Sequence, residues 1–420
     1  MLGSNGSVSG GAVPVSALSG VRIIDLSRHM SAPYGTVVLG DFGADVVKVE
    51  SMPFGDPSRR TGTAFIEGYS AMFLQWNRSK RSLAVDLRTP DGLEIVTRLA
   101  GSADVLVENY RPGVAEEIGL GYSRLSDLNP RLIYCSVSAF GPDGPLASDP
   151  GTDPVIQAMS GVMSLTGEPD GGPLLVGVPM ADFTGSMALV QAVLLGLLAR
   201  ERTGRGQQID IPMLSVMLFG LTTRLASYWA NGTDSVRFGS AHSVVAPYQA
   251  YSAADGDIVA GAWAPEAWPR FCEAIDRLDL VDHPLFATNP DRVAHRAQLN
   301  AILDDVFAGQ TVAQWQERFH QARALFGEVT TIASALDHPQ VRHLGLVRTV
   351  RHGALGDISQ LAPPLVLSET PADLRLPPPL LGEHSRQILF EAGYSDDSVT
   401  DLIERGVVAT PGKTLIPDRP

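Results

Sequence analysis

Val21-Arg-Ile-Ile-Asp-Leu26 and Asp45-Val-Val-Lys-Val-Glu50 are short apolar runs typical of buried β-strands, and the residues between them, Ala32 to Phe42, can form a helix. The alternation continues with a helix at Gly92 to Ala100, a strand at Asp104 to Val107 and a strand at Leu132 to Val137. Strands separated by helices indicate a parallel α/β sheet. Functional sites in such sheets collect in the loops after the carboxyl ends of the strands, so a site is expected there.

A different pattern begins near residue 235. Tyr248 to Ala260 predicts a β-hairpin with Asp255-Gly256 at its turn. Helices are then predicted at Pro265 to Ile275, Arg296 to Phe307 and Val312 to Ala324. This order indicates a smaller α+β domain. After about residue 340 the chain is rich in proline, and a last helix is predicted at 397–405.

Length, composition and charge limit the classes of function. The 420 residues suffice for two domains, and the formal charge of −14 argues against non-specific binding to nucleic acid or anionic membranes. The two cysteines, Cys135 and Cys272, form no CxxC motif, which favours a reducing, cytoplasmic compartment. The Gly- and Ser-rich first 20 residues lack the pattern of a signal peptide, and the apolar stretch 187–199 is too short and interrupted to span a bilayer.

Asp182 is the first candidate for chemistry. It lies in Val178-Pro-Met-Ala-Asp-Phe-Thr-Gly-Ser-Met187, just before an apolar run from Ala188 to Ala199 that predicts a buried helix. A carboxylate there faces the unpaired N–H groups and the positive end of the helix dipole, so it should stay ionised and could attack an activated carbonyl. Position alone favours the simpler interpretation, an N-cap.

Two further loops carry polar candidates. Ser27 to Gly35 follows the first strand and precedes a helix, which is a ligand-binding position, but it contains neither GxGxxG nor GxxxxGK[ST]. His29 in this loop is either a ligand contact or a polar loop residue. Asp153 precedes another helix and is either a second N-cap or part of the Asp182 site. Two carboxylates in one pocket would raise the pKa of one and leave the other ionised.

Basic residues recur near the same loops, which indicates either a pocket for several phosphates or a solvated face. They are Arg59, Arg60, Arg78, Lys80, Arg81, Arg88 and Arg111. Arg111 is the best candidate because Arg-Pro-Gly after a buried strand is held in a tight loop, and Tyr110 beside it can line a pocket. Cys135 is expected to be a core cysteine. The chain has no HExxH, no GxSxG and no metal-ligand cluster, so no metal is expected.

The landmarks of the sequence, taken in order, resemble the class III coenzyme A transferases, the CaiB/BaiF family of formyl-CoA transferase and carnitine CoA-transferase. The likeness runs from Leu18 to about Val408. Its landmarks are Leu18–Leu26, Gly40–Glu50, Asn77–Leu87, Asp104–Gly113, Pro179–Asp182 and Arg202–Asp210. Each motif is weak alone, and the set in this order is specific.

The resemblance implies that Asp182 is the nucleophile of an acyl-CoA:carboxylate CoA-transferase and forms an aspartyl-CoA thioester. Coenzyme A enters as acyl-CoA, and the acceptor is a small carboxylic acid; a dicarboxylate such as succinate, itaconate or mesaconate is preferred. The family's CoA contacts correspond to Met30, Ser31, Val85, Asp86, Leu87, Arg88, Asn109, Tyr110, Arg111 and the 150–153 loop with Thr152 and Asp153.

The chain also departs from the family pattern. Ser51 and Glu117 stand where formyl-CoA transferase has arginines, so Arg59 or Arg60 is expected to rebuild phosphate contacts. The glycine-run loop of that enzyme is missing, which makes formate–oxalate exchange an unlikely activity. Ser240 to Gln249 stands in its place, and His242 there either meets an acceptor carboxylate or caps a turn.

Two alternatives remain open. The related α-methylacyl-CoA racemases use a His just before the Asp153 position, where this chain has Thr152, and proton transfer at an α-carbon needs a base on each face. The other alternative is a non-catalytic CoA-ester binding protein. The resemblance further implies an interlaced homodimer with a Rossmann-like large domain built from both termini. We predict a flexible extension (1–17), the first part of the large CoA-binding domain (18–225), a small domain (226–340) and a return segment (341–420).

Overall fold

The computed structural model describes residues 16–411, so most of the predicted 1–17 extension lies outside the described residues. The strands are β1 Arg22–Asp25, β2 Asp45–Ser51, β3 Phe65–Ile66, β4 Tyr69–Ser70, β5 Lys80–Val85, β6 Val105–Glu108, β7 Ile133–Ser138, β8 Gln208–Pro212, β9 Tyr248–Ser252, β10 Asp257–Gly261, β11 Leu325–Glu328, β12 Val347–His352, β13 Gly356–Leu361 and β14 Val408–Ala409.

The helices begin and end close to the predicted positions in most cases. They are α1 Pro33–Asp41, α2 Ala71–Trp76, α3 Pro90–Gly101, α4 Val114–Glu117, α5 Tyr122–Leu128, α6 Asp153–Met159, α7 Val162–Leu165, α8 Met180–Thr203, α9 Met213–Gly220, α10 Thr222–Asn231, α11 Ala267–Ala274, α12 Asn289–Ala294, α13 Arg296–Phe307, α14 Val312–Ala322, α15 Ile332–Asp337, α16 Pro339–Leu344, α17 Ser385–Glu391 and α18 Asp396–Glu404.

The chain divides into two compact units. The described part of the first unit runs to Ser160 and includes Gly177–Thr222 and everything from Leu344 onward; the second comprises Gly161–Val176 and Thr223–His343. The segment 161–176 was expected in the large domain. It is tied to the second unit because Gly239 N–H donates to the Gly167 carbonyl at 3.0 Å and Arg237 Nε donates to the Glu168 carbonyl at 3.1 Å.

A seven-stranded sheet organises the first unit, in the order β14-β5-β2-β1-β6-β7-β8. All neighbouring pairs are parallel except β14 with β5, so the predicted parallel α/β sheet is confirmed. The chain moves outward from β1 to β2 and β5, then returns to place β6 on the other side of β1. The strand order therefore reverses between β1 and β6, where an α/β sheet opens a crevice at its carboxyl edge.

The second unit has an antiparallel sheet in the order β11-β10-β9, and β9 and β10 form the predicted hairpin. Its core is largely aromatic: Phe271, Phe307 and Phe319 are fully buried together with Trp315. The Trp315 indole N–H donates to the Phe307 carbonyl at 2.9 Å, which satisfies the polar atom that the ring buries.

The helix that carries Asp182, α8, is longer than predicted: it has 24 residues and starts at Met180 rather than near Ala188. Thr184, Gly185 and Ser186 have weak helix propensity, and tertiary contacts outweigh that preference. By length and composition alone α8 could cross a membrane. It packs against α1, α9, β7 and β8 of the first unit, as expected for a core helix.

Candidate active site

A cavity of about 460 Å³ lies in the first unit at the crevice between β1 and β6. The loops after β1, β6 and β7 line it together with the first turn of α8. It contains eight of the residues predicted from the sequence: Met30, Ser31, Asn109, Tyr110, Arg111, Thr152, Asp153 and Asp182. His29 lines the cavity as well. The rule that sites collect after strand ends therefore located the cavity correctly.

Asn109 joins the loops on the two sides of the crevice. Its Oδ1 accepts the Arg28 N–H at 2.8 Å, and its Nδ2 donates to the Arg28 carbonyl at 2.8 Å. The same Nδ2 donates to Ser31 Oγ at 3.2 Å. These contacts fix the loop that presents Met30 and Ser31 to the cavity. Asn109 thus shapes the site from behind its wall.

Close packing brings α8 up to this loop. Ser186 Oγ lies 3.1 Å from both the Met30 and the Ser31 carbonyl oxygens, and 2.9 Å from the Asp182 carbonyl. A Cβ added at Gly35 of α1 would lie 2.7 Å from the Ser186 carbonyl oxygen, so only glycine permits this approach. The small residues beside Asp182 therefore position the first turn of α8 at the cavity.

Asp182 is not the N-cap of α8. The N-cap position is Pro179, and Asp182 lies in the first helical turn. Asp153 supplies the cap from another helix: its Oδ1 accepts the N–H of Ala181 at 2.6 Å and that of Asp182 at 3.3 Å. The Asp182 carboxylate accepts no hydrogen bond from any residue between 16 and 411. It is consequently available to a ligand in the cavity.

Burial raises the pKa of Asp182 to about 6, and the nearby negative charge of Asp153 adds to the rise. The helix dipole alone was expected to keep the carboxylate readily ionised, but loss of hydration is the larger effect here. At pH 7 roughly nine in ten Asp182 side chains are still ionised. A carboxylate that is poorly solvated and not hydrogen-bonded suits a nucleophile.

Most of the basic cluster belongs neither to a phosphate pocket nor to a solvated face. Arg78 pairs with Asp41 at 2.7 Å, Lys80 with Asp25 at 3.0 Å and Lys48 with Asp56 at 2.8 Å, all buried. These ion pairs satisfy carboxylates that the sheet and α1 would otherwise bury alone. Arg111 differs: it lines the cavity and has no ion pair with a described residue.

Arg59 was expected to contact phosphate, and the structure corrects this expectation. Its guanidinium makes two 2.7 Å hydrogen bonds to the buried Glu50 carboxylate and lies 3.7 Å from the centre of the Phe73 ring. Burial would raise the pKa of Glu50, but Arg59 holds it below its usual value. Because Glu50 needs this cation, Arg59 has no free donor face for a phosphate.

The predicted contacts at 85–88 also lie outside the cavity lining. Val85 is fully buried at the end of β5, and Leu87 borders a small separate polar pocket. The Arg88 side chain is 81% exposed and pairs with Asp86 at 2.8 Å. A surface pair of this kind contributes little to stability, so Arg88 is not held in place for a structural reason.

Three comparisons identify relatives of the chain. The sequence profile described as CoA-transferase family III matches residues 18–385. The chain is 38% identical to succinyl-CoA:glutarate CoA-transferase of Mus musculus, over 93% of this chain and 90% of that protein. It is 35% identical to succinate–glutarate CoA-transferase of Agrobacterium fabrum, over 89% and 95%.

The chain belongs to CoA-transferase family III.

The fold agrees with this assignment. A crystal structure of a CaiB/BaiF family protein from Brucella suis superposes with a TM-score of 0.80 at 36% identity, covering 90% of this chain and 99% of that one. The chain is therefore a CoA-transferase, an enzyme whose substrates are a CoA thioester and a carboxylate. Both described cysteines are buried and free, and burial raises the pKa of each thiol to about 12, which leaves neither as a nucleophile.

The sequence reasoning missed several residues of the CoA-transferase cavity. Phe140 follows β7, so the strand-end rule could have found it; Thr61, Trp76 and Met213 carry no signal that would have singled them out. In the smaller unit, His242 stacks on Tyr248 with ring centres 5.5 Å apart, and burial lowers its pKa. No three His, Cys, Asp or Glu side chains in residues 16–411 are grouped to hold a metal ion.

Proposed function

We propose that this CoA-transferase carries CoA from an acyl-CoA donor to a dicarboxylic acid through an aspartyl-CoA thioester on Asp182. The observation that carries the proposal is the Asp182 carboxylate itself. It lies in the cavity, accepts no hydrogen bond from a described residue, and belongs to a helical turn that Asp153 holds by two N–H groups. A nucleophile of this kind needs both exposure to substrate and a fixed backbone.

The reaction proceeds by exchange of acyl groups and needs no ATP. The Asp182 carboxylate attacks the donor thioester, which forms a mixed anhydride and releases CoA thiolate. The thiolate attacks the aspartyl carbonyl, giving the aspartyl-CoA thioester and the free donor acid. The acceptor carboxylate then attacks this thioester, and CoA thiolate leaves again. Its attack on the acceptor acyl carbonyl gives the new acyl-CoA and restores the Asp182 carboxylate.

Activity should fall in acid as Asp182 takes up a proton. Because burial and Asp153 raise the pKa of Asp182 to about 6, we expect kcat/KM to rise with pH and level off above that value. The measurement is kcat/KM for one donor between pH 5 and 8, with pH-independent folding checked by circular dichroism. An acid limb centred near pH 4 would contradict the proposed environment of Asp182.

Arg111 is proposed to bind a phosphate or carboxylate of the substrate, because its cation lines the cavity without an ion pair from the described residues. Arg111→Ala should raise the apparent KM for acyl-CoA by about tenfold with little change in kcat, as expected for binding that ground and transition states share. Arg351→Ala is the control: Arg351 is exposed on β12 and pairs with Asp357 at 3.0 Å. Equal KM values for the two variants would remove Arg111 from the binding groove.

A dicarboxylate acceptor is supported by the relatives, whose printed names include succinate and glutarate. The test is a panel of acceptors with succinyl-CoA as donor. Each dicarboxylate is compared with the monocarboxylate of equal chain length, so glutarate is compared with pentanoate. Preference for the monocarboxylates would overturn the dicarboxylate proposal and leave the transferase chemistry intact.

We propose a homodimer, in line with the interlaced dimer that the resemblance implies. Leu194, Leu195 and Leu198 on α8 are exposed in the first unit, and Phe219 on α9 is 82% exposed. Apolar side chains in such number on one surface are typical of an interface. Light scattering on the purified chain should give about twice the 44.7 kDa chain mass. A monomer at micromolar concentration would contradict this proposal.

The racemase alternative gains no support at Thr152, which is the N-cap residue of α6 and offers a hydroxyl rather than an imidazole. Solvent deuterium entering the α-carbon of a 2-methylacyl-CoA would favour it. A cytoplasmic location is retained as a proposal because Cys135 and Cys272 are both unpaired, which fits a reducing compartment.

A further inference from the structure

Gln157 connects the two carboxylates of the site through one chain of hydrogen bonds. It lies on α6 one turn after Asp153 and is 1% exposed. Its Nε2 donates to Asp153 Oδ2 at 2.7 Å. The other oxygen of Asp153, Oδ1, accepts the Ala181 and Asp182 N–H groups. The carboxylate of Asp153 thus has separate partners on its two oxygens, one on α6 and one on α8.

This arrangement fits Asp153 only as an anion. All three contacts are N–H donors, and a protonated carboxyl would direct its O–H at one of them. The Gln157 amide is uncharged across the accessible pH range, so its donor is constant while Asp182 titrates. Asp182 receives no comparable donor from residues 16–411. The difference between the two acids therefore lies in their hydrogen bonds and not in residue type.

We propose that Gln157 is a positioning residue for CoA transfer: it holds Asp153 on the first turn of α8 and thereby fixes the attack geometry of Asp182. The inference rests on the proposed role of Asp182 as nucleophile. Gln157 touches no reacting atom. Its effect passes through Asp153, whose two contacts to α8 determine where the Asp182 backbone, and hence its carboxylate, lies relative to the cavity.

Few other charged groups surround this chain of contacts. From α6 and α8 the titratable groups at the cavity are Asp153 and Asp182 themselves. The surrounding loops contribute His29, Arg111 and Asp149, and α9 contributes the uncharged Met213. A carboxyl introduced at position 157 would lie in a buried site beside an anion, which raises its pKa into the range of an activity assay.

Gln157→Glu tests the proposal because it keeps the size of the side chain and makes the donor depend on pH. A protonated carboxyl can donate to Asp153, whereas a carboxylate repels it. The rate of label entry from [13C]succinate into succinyl-CoA should be within about threefold of the unmodified enzyme at pH 5.5 and at least about tenfold lower at pH 8. Gln157→Met, which never donates, should be slow at every pH without this descending limb.

Gln321→Glu is the matched control. Gln321 Nε2 donates to Glu317 Oε1 at 2.6 Å, again four residues back on a helix, but on the exposed face of α14. Its pH profile should match that of the unmodified enzyme. A Gln157→Glu profile parallel to the unmodified one, or uniformly as slow as Gln157→Met, would reduce Gln157 to a packing role and overturn the inference. Absence of exchange in the unmodified enzyme with this substrate pair would instead count against the proposed function.

Discussion

Asp182→Ala is expected to abolish CoA transfer while acyl-CoA binding survives. The variant removes the carboxylate that forms the anhydride and the thioester, and nothing else in the cavity replaces a covalent nucleophile. The loss should be at least about a thousandfold in kcat. Asp182→Asn should be equally inactive, because its amide keeps the size of the side chain and loses the anion. The measurement is steady-state exchange, with acyl-CoA affinity determined separately by calorimetry.

Asp149→Asn serves as the control for this pair of variants. Asp149 lines the same cavity and is exposed, and it lies outside α8. Its variant should retain exchange within about threefold, which would separate loss of the nucleophile from general loss of negative charge in the cavity. Activity in Asp182→Asn comparable to that of the unmodified enzyme would exclude a covalent aspartyl intermediate at this residue.

Asp153→Asn is expected to have the second-largest effect. A carboxylate offers acceptors on both oxygens, whereas an amide offers one, so either Gln157 or the first turn of α8 loses its acceptor. Misplacing Asp182 by a fraction of an ångström should lower kcat by about a hundredfold. Removing the Asp153 charge also lowers the pKa of Asp182, so the acid limb of the remaining activity should move to lower pH.

Stability gives an independent measure of the same contacts. Asp153→Ala leaves the Ala181 and Asp182 N–H groups unpaired near a buried helix end, which should cost about 1–3 kcal/mol in the free energy of unfolding. Urea denaturation of the two Asp153 variants would measure the cost. An unchanged acid limb in Asp153→Asn, together with unchanged stability in Asp153→Ala, would mean that Asp153 neither caps α8 nor affects Asp182.

The fold was predictable where the sequence pattern is local. The parallel sheet follows from apolar runs such as Val21–Leu26 alternating with helices, and the cavity follows from the rule about strand ends. The start of α8 was not predictable, because its cap comes from Asp153, 28 residues earlier in sequence. Propensity describes a helix from its own residues, and here a side chain on another helix determines where it begins.

The site was harder to predict where charge is concerned. Arg59 and Arg111 are alike in sequence, each basic and close to a loop, yet one neutralises buried Glu50 and the other lines the cavity. Which role an arginine takes depends on whether a carboxylate is buried beside it, and burial is a property of the fold. Gln157 carried no signal by type, since its importance comes from the partner that it holds.

The aspartyl-CoA thioester is the central claim, and trapping it is the most direct test. The enzyme is incubated with succinyl-CoA and no acceptor acid, its intact mass is recorded, and the peptides are mapped. The account predicts a CoA-sized mass increase on the peptide that contains Asp182, absent in Asp182→Ala and lost when succinate is added. A CoA adduct on another residue, or rapid exchange without any adduct after fast quenching, would contradict Asp182 as the nucleophile.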